Sequence, residues 1–309
     1  MTNERTYSYL GPAGTFTEAA LAQVPEAQGQ RWKPVANVAQ ALADVTDGTS
    51  DGAILAIENT VDGGVSSVQD ALAKTHGVRI VGEYLVPVSF VLVAPRGTTL
   101  EQVVDIAAHP VAYAQCLAWL GENIPGHSHV VAGSNVASAI GVLDGSLPAQ
   151  AAIAAPGVPK HYDVDVLAEG IGDNANAVTR FIFVTRAVAP PAPTGSDKTS
   201  LIVELPREVP GALLEMLEQF ATRGINLSLI QSRPIGDRLG RYRFVIDADG
   251  HIDDERMADA LMGLKRFSPN VQFLGSYPRA DRERVHAEPR YSDASFAAAR
   301  EWLRDLRSP

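Results

Sequence analysis

Apolar positions along this chain follow two rhythms. Short, nearly continuous apolar runs alternate with stretches whose apolar residues recur at helical spacing. In the first part, "TYSYL" precedes "TFTEAALAQV", and "GAILAIEN" precedes "VSSVQDALAK". "VRIVGEYLVPVSFVLVA" reads as two extended runs, and "VVDIAAHP" leads into the helical "VAYAQCLAWLGENI". "SNVASAIGVLDG" reads as a helix, and "AQAAIAA", "VLAEGI" and "RFIFVTR" as strands. Strands that are apolar throughout, alternating with helices, predict a mostly parallel α/β sheet covered on both faces, as one domain or two facing lobes.

A Pro-, Gly- and Ser-rich stretch, "AVAPPAPTGSDKTS" at 187–200, reads as a linker. Beyond it the pattern is strand "TSLIVELP", helix "VPGALLEMLEQFATRG", strand "INLSLIQSRPI", turn "GDRLG", strand "RYRFVIDADG", helix "DDERMADALMGLKRF" and strand "NVQFLGSYP". That order is βαββαβ, the ferredoxin-like plan. The last stretch, "DASFAAAREWLRDLR", predicts an amphipathic helix for packing or oligomerisation. The expected boundaries are 1–186 for the first domain, 187–198 for the linker, 199–279 for the second domain and 280–309 for a helical tail.

Composition narrows the function. The 309 residues carry a formal charge of −10, which argues against nucleic acid as the main partner. No apolar run is long enough to predict a membrane span, and no signal peptide is expected from "MTNERTYSYLGPAGTF". The single cysteine, Cys116, excludes an intramolecular disulfide, so a reducing cytoplasm is the expected location. No metal-ligand spacing, nucleotide fingerprint or nucleophile elbow is present, so neither metal nor cofactor is expected. His127 and His129, flanking Ser128, read as a surface loop.

Several helix starts could hold an anion. Gly14-Thr15-Phe16-Thr17-Glu18 fits a capping box, Ser66-Ser67-Val68-Gln69 fits another, and Gly133-Ser134-Asn135 opens a third helix. Pro110 suits the first turn of a fourth. A cap alone only stabilises its helix. Several in one α/β domain can gather unpaired N–H groups at the carboxyl edge of a sheet, where small anions bind. Glu58-Asn59 ends an apolar strand, where a turn explains Asn59 as readily as a substrate contact. Gln115 and Cys116 share a helix, with Cys116 expected in the core. Thr179-Arg180-Phe181 places a hydroxyl, a permanent cation and an aromatic at the start of a strand. What remains is catalysis by positioned hydroxyl, amide and guanidinium groups.

Taken together, "GPAGTFTEAA", "AIENTVDGGVSSVQDAL", "HPVAYAQC", "YDVDVLAEGIGDNANAVTRF" and "PGALLEMLEQFATRGINLSLIQSRP" resemble, in this order, the prephenate dehydratase family, over roughly residues 5–278. The resemblance implies a two-lobed catalytic domain like type II periplasmic binding proteins, with crossings near 78 and 165, followed by an ACT regulatory domain. It implies decarboxylating dehydration of prephenate to phenylpyruvate in phenylalanine biosynthesis. By the same match Thr179 is the essential hydroxyl, with Arg180, Asn59, Gln115 and Glu58 as its catalytic companions. Substrate contacts are expected from Thr15, Phe16, Ser66, Ser134, Asn135 and Phe181. Phenylalanine is the implied effector, bound at Gly211, Ala212, Leu213, Leu214, Asn226, Gln231 and Ser232, in a homodimer or homotetramer.

The chain departs from the family pattern at four places. Ala108 replaces the common serine before His-Pro, and Ala177 stands where an asparagine is common, with Asn176 one place earlier. "IENT" keeps a hydroxyl at Thr60 in place of "IENS". "QSRP" replaces "ESRP", so Gln231 lacks the usual carboxylate. Two other readings stay open: action on arogenate, which differs from prephenate by an amino for a keto group, and a non-catalytic amino-acid sensor of the same fold.

Overall fold

The computed structural model describes residues 4–61, 63–207, 209–237, 240–284 and 286–307. β1 (Thr6–Leu10), α1 (Phe16–Leu21), β2 (Arg31–Val35), α2 (Val38–Asp47), β3 (Gly52–Asn59), the short β4 (Gly63–Gly64), α3 (Ser66–Lys74) and β5 (Val78–Pro87) begin a first α/β lobe. The second lobe holds β6 (Val91–Ala94), β7 (Asp105–Ala108), α4 (Pro110–Ala114), α5 (Leu117–Asn123), β8 (Ser128–Val131), α6 (Asn135–Leu143), β9 (Ala151–Ala154) and β10 (Asp165–Glu169). β11 (Val178–Arg186) returns to the first sheet, whose order is β2-β1-β3-β11-β5 with β4 paired to β3. The passages between sheets fall later than the positions near 78 and 165. β5 is one uninterrupted ten-residue strand, and Asp165–Glu169 still pairs with β6.

The second sheet has the order β10-β6-β9-β7-β8. It is mixed rather than mostly parallel: β7 pairs in parallel with β8 and β9, while β6 runs antiparallel to β9 and β10. The expectation of two covered faces holds here. Leu92, Ala94, Ile106 and Ile153 enter one apolar cluster, and their neighbours Val91, Val93, Ala107, Ala152 and Ala154 enter another. Each large side chain so buried contributes about 1.5–3 kcal/mol. The "HSH" stretch is corrected: Ser128–Val131 is the edge strand β8, and His129 stacks on Tyr113 with ring centroids 3.9 Å apart.

By compactness the chain divides into Met1–Val68 with Tyr84–Phe181, and Gln69–Glu83 with Ile182–Pro309. Residues 187–196 form neither helix nor strand. After them come β12 (Asp197–Glu204), α7 (Ala212–Ala221), β13 (Leu227–Pro234), β14 (Tyr242–Asp249), α8 (Glu255–Phe267) and β15 (Val271–Pro278). This is the expected βαββαβ unit, with sheet order β13-β14-β12-β15. Of the turn expected at 236–240, Arg238 and Leu239 lie outside the described residues. α9 (Asp293–Arg307) follows as the expected tail helix. It meets α8 through Asp293, which accepts from the Glu255 N–H at 2.9 Å, and through an Arg300–Glu255 ion pair.

Alternation along β12 gives this sheet two different faces. Leu201 and Val203 join Met216, Phe220, Met257 and Leu264 under the two helices. The other face is polar and is covered by residues 69–83 of the same unit. Lys198 Nζ lies 2.9 Å from Glu83 Oε2, Gln272 Nε2 donates to the Leu72 and Thr75 carbonyls at 3.0 Å each, and Arg79 lies over the Phe273 ring. Gly275 permits this approach: a Cβ there would stand 2.1 Å from the Ile80 carbonyl oxygen. Lys198 and Glu83 are almost fully buried, at 8% and 3% side-chain exposure. Burial makes each charge depend on the other. Lys198→Met should therefore lower the unfolding free energy by about 3–5 kcal/mol in urea denaturation, and the double variant with Glu83→Leu should recover much of the loss.

Candidate active site

Three helix starts supply the walls of a cavity of about 260 Å³ in the first unit, lined by Phe16, Asn59, Val88, Phe90, His109, Val111, Ala112, Gln115, Asn135 and Thr179. Thr15 caps α1, its hydroxyl accepting from the Glu18 N–H at 3.2 Å. The Glu18 carboxylate reaches back to the Gly14 N–H at 2.7 Å, one residue before the cap, and pairs with His161 at 2.9 Å. Gly14 holds φ +89, and a Cβ there would sit 3.1 Å from Val158, so this turn needs glycine. Ser134 caps α6 by accepting from Ala137 at 3.0 Å. His109 caps α4, with Pro110 at its first position. The Ser66 box is corrected: Ser66 is itself the first helical residue, and the Gln69 side chain is buried against Gln231.

Asn59 and Thr179 meet at the centre. Asn59 Oδ1 accepts from the Val61 N–H at 2.7 Å, which fixes the amide orientation. Asn59 Nδ2 then donates to Thr179 Oγ1 at 2.9 Å. A hydroxyl that accepts a hydrogen bond becomes a stronger donor through its own hydrogen. Thr179 is 8% exposed, so that donor works in a partly desolvated wall.

Gln115 lies at the end of α4, its Nε2 donating to the Val111 carbonyl at 3.2 Å. Its own carbonyl accepts from Asp173 at 2.7 Å, and Asp173 in turn caps α5 through Ala118 and Trp119. Asn135 Oδ1 is buried without a hydrogen-bond partner among the described residues, as an acceptor awaiting a ligand donor would be. Phe16 and Phe90 pack edge to face with centroids 5.9 Å apart.

The remaining candidates lie elsewhere. Arg180 and Glu58 form an ion pair at 3.0 Å and are not among the lining residues. Strand alternation explains this, because Arg180 follows Thr179 and takes the opposite face of β11. Phe181 is buried and packs. Thr15 and Ser134 act through their caps. The departures have structural uses as well. Thr60 Oγ1 accepts from the Val178 N–H at 3.0 Å, and Ala177 is buried in the apolar cluster under the second sheet.

Sequence reading missed Val88, Phe90, His109, Val111 and Ala112 as lining residues. The signal for the first two was the alternation of Val86, Val88, Phe90 and Leu92, all buried. His109 Nδ1 accepts from the Val111 N–H at 3.3 Å, so a neutral ring carries its hydrogen on Nε2.

In the second unit, Gly211 takes φ +89 immediately before α7, a conformation that favours glycine. Ala212 is buried, while Leu213 and Leu214 are exposed. Asn226 Nδ2 donates to Asp249 Oδ2 at 2.8 Å. Gln231 and Ser232 lie on β13, Gln231 partly buried and Ser232 exposed. Among the described residues no cluster of three or more metal-binding side chains occurs, and no helix is long and apolar enough to cross a membrane.

An apolar-walled cavity bounded by helix N-termini and uncharged hydrogen-bonding groups defines an enzyme-like site for a small organic anion. The family described as prephenate dehydratase matches residues 7–189, and the ACT domain matches residues 199–266. Prephenate dehydratase of Mycolicibacterium gilvum (strain PYR-GCK) is 42% identical over 310 residues, covering 97% of each chain. The structure of prephenate dehydratase from Arthrobacter aurescens in complex with L-Phe is 50% identical, with a TM-score of 0.94, over 98% of this chain and 100% of that one. GqqA, described as a novel type of quorum-quenching acylase, is 29% identical with a TM-score of 0.80, over 89% and 98%. The chain belongs to the prephenate dehydratase family and carries an ACT domain.

Cys116, fully buried beneath this site, has its thiol pushed up to about 12, by burial first and by the Asp173 charge second. At pH 8 almost none of it is thiolate, the reactive form. Folded protein should therefore resist iodoacetamide at pH 8 and gain one carbamidomethyl group per chain once denatured, as read by mass spectrometry.

Proposed function

We propose that this chain converts prephenate to phenylpyruvate, carbon dioxide and water in phenylalanine biosynthesis, with the cavity around Asn59 and Thr179 as its active site. The observation that carries this is the Asn59–Thr179 hydrogen bond inside an apolar-walled cavity. As the ring carboxylate leaves as carbon dioxide, its bonding electrons enter the ring and the ring hydroxyl departs at the opposite carbon as hydroxide, which takes a proton from solvent to become water. Aromatisation supplies the driving force, and the enzyme must stabilise the departing hydroxide. Thr179 donates a hydrogen bond to that oxygen, with Asn59 strengthening the donor. A threonine is too weak an acid to protonate it fully. Val88, Phe90 and Phe16 surround the ring, and the helix starts at Phe16, Val111 and Asn135 face the carboxylates. Gln115 and Asn135 orient the substrate, and Arg180 with Glu58 holds β3 to β11.

The proposal extends to control. Phenylalanine binds the ACT domain at the start of α7 and at β13, and restrains turnover by binding the less active state more tightly. The exposed Leu213 and Leu214 of α7 and Ile230 of the edge strand β13 support pairing of ACT domains between chains, as a homodimer or homotetramer. The proposed domain boundaries are 1–186, 199–279 and the tail, and the proposed location is the cytoplasm, where the buried, unpaired Cys116 stays reduced.

Phenylpyruvate formation from prephenate at neutral pH tests the activity; no turnover with active controls refutes it. Thr179→Ala should lower kcat by about 10²–10³ with little change in KM, and Thr179→Ser should restore most of it. At His109, Asn keeps a capping oxygen but removes the ring Nε2 donor, whereas Gln keeps a distal donor. If the ring nitrogen serves the substrate, His109→Gln retains more kcat than His109→Asn; the reverse order assigns His109 to capping alone.

A further inference from the structure

α3 is tied at both ends to parts of the molecule with different tasks. At its start, β4 pairs with β3, Glu58 opposite Gly64 and Asn59 opposite Gly63, and Val65 N–H donates to the Ile57 carbonyl at 2.9 Å. Chain continuity then leads straight into Ser66. One turn on, Gln69 is fully buried, and its Nε2 donates to Gln231 Oε1 on β13. Asp70 accepts from Arg233 Nε and Nη2 at 3.2 and 2.6 Å, and from Arg243 Nη2 at 2.9 Å. Gln272 of β15 holds the last turn through the Leu72 and Thr75 carbonyls. A continuous series of hydrogen bonds and backbone therefore runs from Gln231 and Arg233 through α3 and β4 to Asn59, and from Asn59 to Thr179.

The chemistry of these contacts is unusual for packing alone. Gln69 is buried with its Nε2 bonded to Gln231 and its Oε1 without a partner among the described residues, a cost leucine would not incur, and the partly buried Arg233 and buried Arg243 guanidinium groups both rely on the Asp70 carboxylate. Such contacts are directional, so a change in β13 leaves them unmade unless α3 follows. The Arg233 hydrogen bonds, with those of Arg243, also hold the Asp70 carboxyl below its ordinary range.

We propose that α3 transmits effector binding to the active site, with Gln69 and Asp70 as its coupling residues, a role that rests on the phenylalanine reading above. Neither residue is among those lining the cavity or those proposed to hold the effector, although Gln69 bonds to Gln231 beside it. They set how far occupation of β13 and α7 changes the position of Asn59 and the hydroxyl it supports.

The test measures binding and inhibition separately on the full chain. Calorimetry gives phenylalanine affinity, and prephenate turnover gives inhibition. Gln69→Leu and Asp70→Asn should bind phenylalanine as the wild type does and keep its uninhibited turnover. Their coupling factor, on the order of 5–150-fold in typical allosteric systems, should fall to near one. In the wild type, phenylalanine should also change hydrogen exchange of the α3 amides. Wild-type inhibition persisting in both variants overturns the proposal, and so do α3 amides that do not respond. Inhibition lost only in proportion to binding also overturns it, by placing the two residues in the effector site. Failure of the wild type to bind phenylalanine refutes the effector reading itself, and is seen before any variant is made.

Discussion

The hydrogen bond from Asn59 to Thr179 joins positions 120 residues apart in sequence. Everything else about the cavity around them depends on that span being closed. β3 delivers Asn59 at its last residue, and β11 delivers Thr179 at its second. Thr60 and Val178 exchange two further hydrogen bonds beside them, and Arg180 pairs with Glu58 on the opposite face. The charged pair thus acts as a brace, and the neutral pair is left to line the cavity. A hydroxyl needs this support, because its value as a donor depends on where its hydrogen points and how well its oxygen is already engaged.

The C-terminal sheet uses the opposite strategy. Its helix-covered face is apolar, whereas its other face carries Lys198, Arg243, Asp247 and Ser200, all buried. Ser200 bonds both Asp247 and the Tyr277 hydroxyl, at 2.5 and 2.7 Å. Apolar packing tolerates sliding between similar arrangements, while directional bonds between buried polar groups allow few. A regulatory sheet read through such a face has a defined alternative only where the whole set can re-pair.

Much of this architecture was legible in the sequence. The βαββαβ order emerged because the strands are short apolar-rich runs and each helix shows one apolar stripe. The caps at Thr15 and Ser134 were legible because a cap is a local event. β2 was missed because Pro34 and two cations interrupt its apolar run, which an edge strand tolerates. β8 was missed for a similar reason, being a short edge strand of partly exposed residues. Arg180 looked like a catalytic companion of Thr179 because sequence shows its charge but not the face it takes, nor Glu58 waiting there. Gln69 looked like half of a capping box, since its partner lies 162 residues away. Long-range pairing is what pattern reading lacks.

Among the described residues, the cavity lining includes no Lys, Arg, Asp or Glu. The attraction for carboxylates proposed above would come from helix ends, whose field fades within about a turn. The chain as a whole carries −10. A dianion therefore meets repulsion at a distance and attraction only on arrival. Salt, which slows the encounter of anions with a basic cleft, here screens an opposing field. Such a site trades speed of capture for discrimination at close range: it admits those anions that fit well enough to reach the amides.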